Sequence, residues 1–312
     1  MGLAQAAQES TARVIKMVDD ARPSRASERA RSRPDEPQGP RPEGKELIED
    51  EVGVVRVGPV PLPPIWREGL LGLELAALLR YELFRQPPQA PAPRPVMLIP
   101  GFLTGDAQLA TLGSWLRRCG HRTHRSGIRL NVDCAATATG RLERRLEEFV
   151  QLEGERAVLI GQSRGGLFAR VLAVRRPDLV EGVVTLGSPH ANPFAVHPLV
   201  WAQGAAIAGL AALGVPGLAS RHCRSGACCR DFMRALRAPP PEEVQFVSVH
   251  SRRDGIVDWR ACIDRWAVNA EVRSTHCGMA VNPEVYERLH ATLHGRRQRR
   301  SGRERTVARA AA

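Results

Sequence analysis

The residues best suited to chemistry lie in Gly161-Gln162-Ser163-Arg164-Gly165. This stretch joins an apolar run, Ala157 to Ile160, to a helix-like pattern through Leu167, Phe168, Val171 and Leu172. Strand, sharp turn and helix with Gly-x-Ser-x-Gly spacing form a nucleophile elbow, which projects a serine hydroxyl from the C-terminal end of a strand. Holding a non-glycine residue in that turn costs ~1–3 kcal/mol, and side chains on the flanking glycines would collide with the adjoining elements. A serine hydroxyl is weakly nucleophilic, so a base that works near neutral pH is required, which selects histidine.

Of nine histidines, His276 in Ser274-Thr275-His276-Cys277-Gly278 follows the last strand pattern, Ala270 to Arg273. A loop at that point can carry its side chain over the sheet to Ser163. His290 and His294 fall in a closing helix pattern, and His250 ends a strand. The base in turn needs an acid to fix its tautomer and stabilise the imidazolium. Asp254 and Asp258 both follow the strand ending near Val249; Asp254 is favoured because it stands at the strand's exit. An oxyanion needs two backbone donors. The elbow supplies the amide of Arg164, and the loop Pro100-Gly101-Phe102-Leu103 supplies that of Phe102, with Leu103 as the alternative. The Arg164 side chain is expected to anchor in a salt bridge beneath a cap.

These residues can meet only if alternating elements carry them to one rim. Apolar strand patterns at Val96–Ile99, Ala157–Ile160, Gly182–Leu186 and Val244–Val249, with further strand candidates at His121–Gly127 and Ala270–Arg273, are separated by helical patterns at Leu109–Arg118, Thr139–Gln151 and the stretch after Ser163. Val281 to Leu293 closes the chain's core with Asn282-Pro283 as cap and first-turn proline. Strands separated by helices of this size predict an α/β fold with a mostly parallel sheet covered on both faces. Ligands then bind outside the carboxyl ends of the strands.

The catalytic region spans 95–294, and the interval 191–240 is an insertion. From Ala191 to Ser220 it carries no Asp, Glu, Lys or Arg. It reads as a buried cap helix or an apolar lid; a bilayer span fits its length but not its glycines and proline. Upstream, residues 1–46 are too rich in Arg, Glu, Ser and Pro to order themselves. Within 47–94 the sequence predicts a strand at Val52–Val60, an amphipathic helix at Ile65–Phe84 and a proline-rich linker. That helix should show Trp66, Leu70, Leu73, Ala77 and Phe84 along one stripe, either packed or laid on a membrane surface.

The formal net charge is +12, and Lys16 and Lys45 are the only lysines among 45 basic residues. Seven arginines and one glutamate lie between Gly295 and Ala312, a solvated tail with no interleaved aromatics, so nucleic acid is not an expected partner. The partner expected is a small-molecule or lipid ester, with peripheral membrane contact open to the tail and the amphipathic helix. Seven cysteines do not form a disulfide framework in a chain of this length, and with no secretory signal pattern at Met1–Asp20 a cytoplasmic location is expected. His222, Cys223, Cys228 and Cys229 match no common zinc spacing, and neither metal nor organic cofactor is called for.

Taken together, Pro100-Gly101-Phe102, Gly161-Gln162-Ser163-Arg164-Gly165-Gly166, Leu186-Gly187-Ser188-Pro189-His190, Asp254-Gly255-Ile256-Val257 and Ser274-Thr275-His276 resemble the lipase and esterase branch of the α/β-hydrolase superfamily. The resemblance runs from about Pro95 to Leu293, with its nucleophile, acid and base in the order Ser163, Asp254, His276. It implies hydrolysis of a carboxylic ester through an acyl-enzyme on Ser163. Acyl transfer with the same three residues, and a non-catalytic hydrolase-fold module, are the other readings.

Overall fold

The structure is a computed structural model that describes residues 64–219, 223 and 229–293. The expected disordered segment 1–46, the strand at Val52–Val60 and the Arg-rich tail 295–312 lie outside the described residues.

Six strands form one sheet: β1 (Pro95–Ile99), β2 (Arg122–Arg125), β3 (Ala157–Gln162), β4 (Val180–Leu186), β5 (Gln245–His250) and β6 (Val268–Glu271). Their order is β2-β1-β3-β4-β5-β6, and every neighbouring pair is parallel. The central strands are near-continuous apolar runs because both of their faces are covered. The edge strand β6 has an exposed Val268 and begins two residues before the predicted Ala270. Exposure at a sheet edge removes the apolar signal that would have marked its start.

Helices α1 (Leu71–Arg80), α2 (Ala110–Arg118), α3 (Ala135–Glu153), α4 (Arg164–Arg175), α5 (Pro198–Ala212) and α6 (Arg230–Arg237) are followed by α7 at 283–293. Alternate strand residues point to opposite layers. Val96, Leu98, Val158, Ile160, Val184 and Val249 pack with Leu78, Trp115 and Tyr286 from α1, α2 and α7. Met97, Ile99, Leu159 and Val183 pack with Leu142, Phe168 and Phe232 from α3, α4 and α6. Asn282 caps α7 by accepting from the Glu284 amide at 2.9 Å, with Pro283 in the first turn, as the sequence predicts. The helix α4 behind the elbow is anchored by a buried ion pair, Arg170 Nε to Asp264 Oδ2 at 2.8 Å.

The upstream helix departs from its expected form. A 3-10 turn at Ile65–Leu70 precedes α1, which ends at Arg80; Tyr81 is extended and one more turn follows, Glu82–Arg85. The expected stripe is largely unpacked: Trp66 is 69% and Leu73 69% exposed, while Leu78, on the neighbouring side, is fully buried. The stripe rule assumes one continuous 3.6-residue period, and the tighter 3-10 turn shifts Trp66 out of phase with α1.

The insertion between β4 and β5 contains α5 and α6. Only Ile207 and Ala208 of α5 are buried, so α5 is not the buried cap helix that the charge-free stretch suggested. Its apolar side chains are too many for the contacts available, and Leu199, Leu210 and Leu213 remain exposed. No helix among the described residues is long and apolar enough to cross a membrane.

Candidate active site

Ser163 sits between β3 and α4 with φ 52° and ψ −122°. That conformation is strained for an L-residue, and the surrounding glycines make it possible. A Cβ on Gly161 would lie 2.5 Å from the Gly165 carbonyl, and one on Gly165 would run into the carbonyl oxygens of Ile99 and Pro100. One on Gly166 would strike Ser188 Oγ. The Ser163 amide donates to the Leu186 carbonyl at 2.8 Å, which pins the turn to the end of β4.

Asp254 and His276 meet on the same rim. His276 Nδ1 lies 2.6 Å from Asp254 Oδ2, and both side chains are buried. The other Asp254 oxygen accepts from the amides of Ile256 (2.9 Å) and Val257 (2.7 Å), so the turn after β5 fixes the carboxylate. Asp258 is also buried but serves a different end: its Oδ1 accepts from the Arg260 amide at 3.0 Å and caps a 3-10 turn. Burial pushes the His276 imidazole pKa down, yet the charge and hydrogen bond of Asp254, with the charge of Glu68, outweigh it and raise the pKa. Cys277, the neighbouring thiol, is held protonated: burial and the Glu68 carboxylate push it to about 12.

Three groups that sequence reasoning did not single out hold this pair in place. Gln162 Nε2 donates to the His276 carbonyl at 2.9 Å, tying the elbow to the histidine loop. Ser251 Oγ donates to the Ser274 carbonyl at 2.6 Å and accepts from the Ser274 amide at 3.2 Å, tying the loop after β5 to the loop after β6. Gly187, at φ 59°, packs beneath: a Cβ there would stand 3.1 Å from His276 Nδ1 and 3.2 Å from Asp254 Oδ2. If Asp254 and His276 act with Ser163 as proposed below, Gly187→Ala is expected to lower kcat about tenfold or more, since small misplacements of reacting groups are costly. Steady-state kinetics at matched folded yield would check it.

The largest omission is the region before the core. Glu68 accepts from the amides of Gly255 (2.9 Å), His276 (3.1 Å) and Cys277 (2.8 Å). Glu74 accepts from the Thr275 amide and hydroxyl, both at 2.8 Å, from Asn282 Nδ2 at 2.8 Å and from Ser274 Oγ at 2.5 Å. Two carboxylates from the 3-10 turn and α1 thus order the loop that presents His276. Gly278 leaves the room for this, as its Cβ would overlap the Glu74 carboxylate. In the structure Glu74 lies beside Leu75 and Leu78, on the side of α1 that packs inward.

On the opposite side of Ser163, a Cβ on Gly101 would touch Ser163 Cβ at 3.3 Å. The Gly101 amide donates to Gln108 Oε1 at 3.1 Å, and the Leu103 amide to the Asn131 carbonyl at 3.3 Å. Phe102 lies between these two engaged amides. The Arg164 side chain runs away from the elbow and is not in the expected salt bridge. Among the described residues its partners are neutral oxygens: Asn131 Oδ1 at 2.7 Å, the Asn131 carbonyl at 3.1 Å and the Asp133 carbonyl. Its guanidinium also lies 5.1 Å from the Phe168 ring centroid. Carbonyl dipoles crowded at the loop before α3 substitute for a carboxylate there. Burial lowers the Arg164 pKa to about 10, partly opposed by nearby thiols.

No family model matches the chain. Among solved structures, the mature form of the lipase BlEst2 from Bacillus licheniformis superposes with a TM-score of 0.50 at 17% identity, covering 66% of this chain and 94% of that one. Its propeptide form gives 0.50 at 18% identity over 66% of this chain, which spans about half (51%) of that longer form. The parallel sheet, the strained turn after β3 and this likeness together assign the chain the α/β-hydrolase fold.

Proposed function

We propose that the chain is a serine hydrolase that cleaves carboxylic esters with an apolar acyl group. The observation that carries this reading is the buried 2.6 Å contact between Asp254 and His276, on a loop tied by Gln162 to a serine held at φ 52°. With Nδ1 committed to Asp254, Nε2 of His276 is the nitrogen left to take the Ser163 proton. Ser163 Oγ attacks the ester carbonyl, and the oxyanion is met by the amides of Phe102 and Arg164. Collapse expels the alcohol, protonated by His276, and leaves an acyl-enzyme. Water then attacks the acyl carbon as His276 takes its proton; the acyl–Oγ bond breaks, His276 returns the proton to Ser163 Oγ, and the acid leaves.

Exposed Leu199, Leu210 and Leu213 on and beside α5 support an apolar acyl group. The insertion begins against the Asp254 loop, where the His197 amide donates to the Ile256 carbonyl at 2.7 Å and Val196 pairs with Val257. The test is hydrolysis of p-nitrophenyl esters from acetate to palmitate, with and without added alcohol. Turnover that rises with chain length beyond acetate and yields free acid is expected. Turnover confined to acetate would overturn the apolar specificity. Alkyl ester as the main product would replace hydrolysis by acyl transfer.

A further inference from the structure

Cys134, Cys223 and Cys229 come from separate parts of the chain, yet their three sulfurs lie within 4.8 Å of one another. Cys134 ends the loop before α3, and Cys229 stands at the start of α6, within the insertion. Their sulfurs are 3.6 Å apart. Zinc bound to thiolates has Zn–S distances of ~2.3 Å in a tetrahedron, which requires sulfurs roughly 3.8 Å apart. The cluster is therefore already near the dimensions of a bound ion. The spacing of Cys223, Cys228 and Cys229 hid it, because the ligand that completes the set lies 95 residues from Cys229.

We propose that Cys134, Cys223 and Cys229 form a zinc site that fastens the insertion to the loop behind the nucleophile elbow. Three thiolates are soft ligands suited to zinc, and together with the ion they carry one net negative charge. The Arg164 guanidinium, held on Asn131 and on the Asp133 carbonyl next to Cys134, supplies the compensating positive charge. Binding forms three Zn–S bonds and releases three thiol protons to solvent. The fourth position is filled by water or a further side chain. Arg164 also holds Asn131 and Asp133, and the Ala219 amide donates to the Val132 carbonyl at 2.9 Å. The ion would thus brace the loop Asn131–Cys134 from the insertion side, at the residue that follows Ser163. The site is separate from the ester chemistry and does not depend on it.

The full chain, purified under reducing conditions and stripped of metal, should bind about one zinc. Loading it with cobalt(II) should give sulfur-to-cobalt charge-transfer bands in the near ultraviolet and intense tetrahedral d–d bands. Cys134→Ser and Cys229→Ser should each lower zinc affinity at least about tenfold. Cys119→Ala, altered in the opposite core layer, should retain it. The cobalt spectrum needs no variant, so a folding defect in any of them does not blunt the test. A folded, fully reduced chain that shows no thiolate–cobalt bands and takes up no zinc overturns the proposal. So does zinc uptake that both serine variants retain. These readouts are independent of hydrolysis, so failure of one reading leaves the other standing.

Discussion

Asp254→Asn is expected to lower kcat by about 10³–10⁴-fold while Asp258→Asn stays within a few-fold of the parent enzyme. The two residues are four positions apart and equally buried, so burial alone would not separate them. Their partners do. Asp254 spends one oxygen on the amides of Ile256 and Val257 and the other on His276 Nδ1. An Asn amide group facing Nδ1 would force the imidazole into the tautomer that cannot accept the Ser163 proton. Asp258 uses one oxygen to cap the turn at Trp259–Cys262, a role that asparagine also fills. Steady-state kinetics of both variants at equal folded yield, judged by circular dichroism, would check the contrast.

The second large effect is expected from the region before β1. Glu74→Ala removes the acceptor shared by Ser274, Thr275 and Asn282, and buried donors left without an acceptor cost about 1–3 kcal/mol each. Expected consequences are a clear loss of thermal stability and a fall of about 10²-fold in kcat as the His276 loop loosens. Glu68→Gln tests the charge separately from the shape. Glu68 helps to raise the His276 pKa, so the neutral base forms only at higher pH and the acidic limb of kcat/KM lies above the ordinary imidazole value. Removing the negative charge should move that limb to lower pH. A purely structural carboxylate would reduce yield and leave the limb where it was. The pH–rate profile of the two proteins makes the distinction.

These two predictions mark the boundary of what the sequence makes legible. The elbow, the strand pattern and the positions of Asp254 and His276 can be read because each rests on local order: an apolar run, a turn, then a reactive type at a strand exit. Central strands such as β3 are apolar throughout, whereas β6 at the edge is exposed and its limits are blurred. Glu68 and Glu74 could not be read in the same way. A carboxylate on an amphipathic stretch is ordinarily the solvated side, and their partners stand about 200 positions away, as with Glu74 and Ser274 (|i−j| = 200). The same limit hid the approach of Cys134 to Cys229. Arg164 is a subtler case: its burial could be anticipated, but a cluster of carbonyl oxygens as its partner leaves no trace in side-chain composition.

The exposed faces of α1 and α5 have a common physical origin. Each has more apolar residues than its neighbours cover: Leu78, with Leu75 beside it, joins the core from α1, and only Ile207 and Ala208 of α5 are buried. What remains outside is exposed apolar surface: Trp66, Leu71, Leu73 and Leu79 before β1, and Leu199 and Leu210 on α5.

Ser163, if activated as proposed, reacts with electrophilic phosphonates. Treating the folded chain with a fluorophosphonate and mapping the adduct by mass spectrometry tests it most directly. One phosphonyl group on Ser163 is expected, with labelling lost in Ser163→Ala and strongly slowed in Asp254→Asn. A folded, intact chain that remains unlabelled at Ser163 would contradict it.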